Sequence, residues 1–174
     1  MPVGVVLERH AIDHPWQTHG WRLIGVVPGA PGLRAPVVLR EDGDSRQVHA
    51  ATLEITLHRR ETEGYKRNLA NDPPLVYVVL RADGEEEFDD DDAPPRPDIA
   101  TVCPYEAQDY LDASGLDETV EAVPMPDAIR AWVQAFIDAH HVDKPFRKRK
   151  RRDWSEDVER GRPPPRARSR GRHG

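Results

Sequence analysis

Apolar residues recur at Ile129, Trp132, Val133, Phe136 and Ile137, a spacing of i, i+3, i+4, i+7 and i+8. That period predicts an amphipathic helix over residues 126–141, with Arg130, Gln134 and Asp138 on its wet side. Pro126 suits a first helical turn, where a missing N–H breaks no bond, and Asp127 places negative charge at the positive end of the dipole. Burying side chains of this size is worth roughly 1.5–3 kcal/mol each. The stripe therefore needs a surface to lie on, which the preceding chain must supply.

That chain reads mainly as strands. Residues 3–7 are a valine-rich run bounded by Glu8 and Arg9. Residues 21–27 form a second run, stopped by PGAPG, and residues 36–40 a third, followed by the hairpin-like EDGDS. Over residues 49–58 the alternation is clean: Leu53, Ile55 and Leu57 face one way, and Thr52, Glu54, Thr56 and His58 the other. Residues 59–69 are polar, with Tyr65 and Leu69 spaced to pack together, and read equally as a short helix or an ordered loop. Pro73 and Pro74 end that segment. LVYVVL at residues 75–80 is almost continuously apolar, which predicts a central strand covered on both faces. A short strand at 99–102, a helix at 104–113 and a last strand at 119–123 complete the series. The expected fold is α+β: a curved, mostly antiparallel sheet or half-barrel of about seven strands, closed by the C-terminal amphipathic helix.

Charge divides the chain. Residues 144–174 hold 13 Lys/Arg against 4 Asp/Glu, a net of +9, whereas residues 1–143 hold 12 against 27, a net of −15. The expected organisation is one domain over 1–143, interrupted by a disordered acidic loop at 83–97, then a disordered basic tail at 144–174. The single cysteine, Cys103, excludes an internal disulfide and a cysteine-built zinc site. No apolar run approaches the roughly 18 residues of a spanning helix. The expectation is a cytoplasmic protein without membrane insertion.

Residue chemistry singles out few sites. His10, His14 and His19 lie in a loop-like stretch, and adjacent His140 and His141 diverge by about 100° on a helix, a poor chelating pair. Cys103 has neither a base nor an oxyanion pocket beside it in the sequence. Glu106 and Asp109 share a helix side as an acid/base pair would, but that side can equally face water. No catalytic, metal or cofactor residue is assigned. Trp16, Tyr65, Lys66, Tyr105 and Tyr110 are instead the candidates for contact with a partner. An alternative polyanion site runs through Arg147, Lys148, Arg149, Lys150, Arg151 and Arg152, by which the tail would bind nucleic acid or a ribosome.

Four blocks carry a resemblance: VGVVLERHAIDHPWQTHGWRLIGVVPG, ETEGYKRNLANDPPLVYVVLR, VCPYEAQDYLDASG and VPMPDAIRAWVQAFIDAHH…FRKRKR. Together they are similar to a bacterial family of unknown function, small proteins encoded near molybdenum-dependent formate dehydrogenases and their maturation factors. Cys103 departs from that family's pattern, where a serine precedes the Pro-Tyr-Glu-Ala-Gln block. The resemblance implies a non-enzymatic accessory or assembly protein without a cofactor. Its partners would be formate dehydrogenase subunits or their maturation factors.

Overall fold

A computed structural model describes residues 1–13, 18–43, 45–81, 93–113 and 118–142. The strands are β1 (Pro2–Ala11), β2 (His19–Pro28), β3 (Val37–Asp42), β4 (Ser45–Glu54), β5 (Leu75–Arg81), β6 (Arg96–Thr101) and β7 (Glu118–Pro124). The helices are α1 (Thr62–Leu69), entered through a single 3-10 turn at Arg59–Glu61, α2 (Pro104–Ala113) and α3 (Asp127–His140). The expected α+β class holds.

One curved sheet was expected, and the strands form two. β2-β1-β4-β3 make a four-stranded sheet and β6-β5-β7 a three-stranded one, every pairing antiparallel. No closed barrel joins them among the described residues. The division falls at α1, which carries the chain from β4 to β5. Hydrophobic periodicity reports which face of a strand is buried, and it carries no information on which distant strand becomes its neighbour.

β5 is central, as its continuous apolar run predicts: Val76, Val78, Val79 and Leu80 are all buried between β6 and β7. β1 holds the matching place in the larger sheet, with Val3, Val5, Val6 and Leu7 buried. Gly4 is needed there. A Cβ at this position would lie 2.6 Å from His49 Nε2 and 2.8 Å from the Ala30 methyl. The alternation read at 49–58 survives as burial, with Ile55 enclosed and Glu54 and Thr56 exposed. The ladder itself ends at Glu54, and the backbones of Ile55 and Met1 then bond each other at 2.7 and 2.9 Å.

α3 lays its stripe on this core as expected. Ile129, Val133 and Ile137 are buried, while Trp132 and Phe136 pack beside them half-buried. Pro126 caps the helix from just outside its first turn, with ψ 146°. One core cluster runs from β1 and β4 through β5 to α3, so Met1–Val142 is a single compact unit. No helix among the described residues is long and apolar enough to cross a membrane. Of the acidic loop expected at 83–97, residues 83–92 lie outside the described residues, as does the tail from residue 143, whereas Arg96 and Pro97 already belong to β6, paired with Arg81 and Leu80.

Candidate functional site

The segment left open by the sequence is helical, and its buried side explains why an apolar stripe does not reveal it. α1 buries Thr62, Gly64, Tyr65 and Asn68, mostly small or polar residues, and exposes Glu63 and Arg67. Polar groups enter a core only when their hydrogen bonds are met. Tyr65 Oη accepts the His58 N–H at 3.0 Å, its ring stands edge-on to Phe136 at 6.3 Å, and burial pushes its hydroxyl pKa up. Asn68 donates to the carbonyls of Leu75 and Val102 and accepts the Leu75 N–H.

α1 meets its neighbours along two seams. Toward α2, Gly64 presses against Cys103, where an added Cβ would stand 2.7 Å from Sγ. Burial raises the Cys103 pKa, and Glu61 Oε2, 3.6 Å from Sγ, acts in the same direction. The thiol is fully buried, as a packing residue is. Glu106 accepts the Thr101 hydroxyl at 2.6 Å, and Thr101 Oγ1 accepts the Cys103 N–H. Glu106 thus fastens the start of α2 while Asp109 is exposed, so the structure does not bring them together as a pair. Arg67 reaches the Tyr105 hydroxyl at 3.4 Å.

Toward α3 the contact runs through His141. Thr62 donates its hydroxyl to the Arg59 carbonyl at 3.2 Å and so accepts from His141 Nδ1 at 3.0 Å. Lys66 Nζ donates to His141 Nε2 at 3.0 Å, and Glu63 Oε2 lies 3.7 Å from the same nitrogen. Beside this seam lies an open trough of about 510 Å³ lined by residues of both helices. Leu69 and Ala70 line one side and Ile137 the other, with Lys66, His141, Gln134 and Asp138 as the polar rim. Gln134 Nε2 donates to Asp138 Oδ1 at 2.8 Å, so this part of the rim is held in place within α3 itself.

The expected partner residues fare differently. Tyr65 is 1% exposed, with its ring packed between α1 and α3, so it offers no surface for the partner contact expected of it. Lys66 lies on the trough rim, Tyr105 is exposed beside Arg67, and Tyr110 is half-buried on α2. Trp16 and the residues Arg147, Lys148, Arg149, Lys150, Arg151 and Arg152 lie outside the described residues. His10 and His19 sit on neighbouring rungs of β1 and β2, far in sequence from His140 and His141. Among the described residues no group of three or more His, Cys, Asp or Glu side chains is placed to hold a metal. Sequence reasoning did not single out Gln134, Asp138 and His141 as a rim. Its only trace is the polar i, i+4 line of Arg130, Gln134 and Asp138 beside Ile137.

The chain matches, over residues 2–150, the family described as Protein of unknown function (DUF3305). It belongs to that family. The DUF3305 match takes in both seams and the trough. No curated protein and no solved structure matches the chain.

Proposed function

We propose that this DUF3305 protein is a non-enzymatic accessory factor that works by protein–protein contact. Its partner in this reading is a molybdenum/iron–sulfur oxidoreductase, formate dehydrogenase first, or a maturation factor of that enzyme. The observation that carries the contact role is the trough between α1 and α3. Its floor is apolar and its rim polar, and it is bounded by side chains that internal hydrogen bonds already hold. A surface so organised takes up a partner's side chain with little ordering cost. A second surface supports the same role: Val37, Val38 and Leu39 on edge strand β3 stand 47%, 44% and 55% exposed. The choice of partner rests on the resemblance of the four sequence blocks to proteins encoded beside such enzymes.

The test is purification of the tagged chain from native cells making active formate dehydrogenase, paired with deletion of its gene. Enzyme subunits are expected to co-purify, and deletion is expected to lower formate oxidation. Recovery of the chain alone, with formate oxidation undiminished by deletion, contradicts the proposal.

A further inference from the structure

The larger sheet carries its core rung on Leu23, Leu7 and Val48, adjacent across β2, β1 and β4 and all buried. The same rung ends on Val38 of β3, which is 44% exposed. An apolar row sealed over three strands thus runs out into water on the fourth. β3 is the last strand of its sheet, and all six of its residues are exposed. No further strand pairs with it among the described residues. The N–H and C=O groups along such an edge are a template for another strand.

Edge strands are ordinarily blunted by charges and by bulges. On β3 those devices sit in one half: Arg40, Glu41 and Asp42 carry charge, and the register with β4 shifts between Val38 and Arg40. Val37 and Val38 have no such guard. The exposed run RAPVVLRED, from Arg34 to Asp42, is basic at its start, apolar in its middle and acidic at its end. A second copy laid antiparallel sets Arg34 toward its neighbour's acidic end and the valines against valines. A parallel copy sets like charge against like, which is unfavourable. The edge is therefore complementary to itself in one orientation.

We infer that the edge of β3 binds a second copy of this chain, paired antiparallel about a two-fold axis at Val38. Val38 then lies directly opposite its counterpart, on the same face of one joined sheet. The core rung continues from Leu23, Leu7, Val48 and Val38 into the other copy's Val38, Val48, Leu7 and Leu23, so the exposed valine is covered. This assigns to a copy of the chain the edge strand named above as a second contact surface. No residue of β3 lines the α1–α3 trough, so the inference stands apart from the contact proposed there.

The test is analytical ultracentrifugation of the full chain. One strand pair is smaller than the roughly 1,200–2,000 Å² of a standard interface, so the dimer is expected to be weak, half-formed at about 10–100 µM chain. Val38→Lys is expected to weaken it by about tenfold or more, and Leu111→Lys, at an exposed position on α2, to leave it unchanged. Mild oxidation reads the register. Directly opposed strand residues have Cα atoms about 4.5–5.5 Å apart, within disulfide reach. Val38→Cys is therefore expected to form a disulfide-linked dimer and Val37→Cys to do so far less, with the native Cys103 buried out of reach. A chain that stays monomeric up to about 500 µM overturns the inference. So does a dimer indifferent to Val38→Lys, or cross-linking as strong through Val37→Cys as through Val38→Cys.

Discussion

Asn68 Nδ2 donates to the carbonyl of Val102 at 2.8 Å, joining α1 to the end of β6 across 34 residues of sequence. The same side chain also donates to the Leu75 carbonyl and accepts the Leu75 N–H, so one buried amide holds the start of β5 as well. Each buried group left unmet costs about 1–3 kcal/mol. Asn68→Ala is expected to destabilise the fold by about 3 kcal/mol or more in urea denaturation. Asn68→Asp should fare little better, because a carboxylate would face two carbonyl oxygens without a proton to give.

The α1–α2 seam allows a paired test. Gly→Ala inside a helix ordinarily stabilises by about 1 kcal/mol. At Gly64 the new methyl meets Cys103 Sγ at 2.7 Å and Tyr105 Cδ2 at 3.0 Å. Overpacking of this kind costs about 1–3 kcal/mol, so Gly64→Ala is expected to lower stability. Adding Cys103→Ala removes the sulfur and should restore much of the loss. A double-mutant cycle that comes out additive would contradict the contact.

Glu8 sets an acid limit. Its carboxylate accepts from Gln47 at 3.1 Å and Arg22 at 2.9 Å, and these bonds, Gln47 first, pull its pKa from 4.5 to about 2. A folded value below the unfolded one contributes stability that is full above the unfolded pKa and is lost as pH falls through the folded one. The stability advantage of wild type over Glu8→Gln is expected to be constant above about pH 4.5 and to vanish as pH approaches about 2. Thermal unfolding across that window checks it.

The helix that closes the core gives a graded series. Ile129 and Val133 are both 0% exposed, whereas Trp132 is half-buried. Ile129→Ala leaves a cavity in a well-packed site and is expected to cost about 2–5 kcal/mol, with Val133→Ala toward the lower end. Denaturant midpoints measured on the same preparation order the two.

Much of this fold was legible because its strongest signals are local. The stripe from Ile129 to Ile137 and the apolar run from Leu75 to Leu80 each report burial through neighbours in sequence. α1 was not, since its core-facing side is Thr62, Gly64, Tyr65 and Asn68, and the reason those residues tolerate burial lies in partners as distant as Val102 and His141. The split into two sheets was hidden for the same reason. The trough was the least visible feature, because Lys66 and Asp138 become neighbours only once α1 has docked on α3.

The most direct measurement is the amount of formate dehydrogenase recovered from native cells with three tagged forms. These are the full chain, residues 1–142 alone, and a trough variant carrying Gln134→Arg and Asp138→Arg, two exposed residues whose hydrogen bond is to each other. The account predicts equal recovery with the full chain and the shortened form, and a loss of tenfold or so with the variant. Recovery that persists in the variant and disappears on removing residues 143–174 would contradict it.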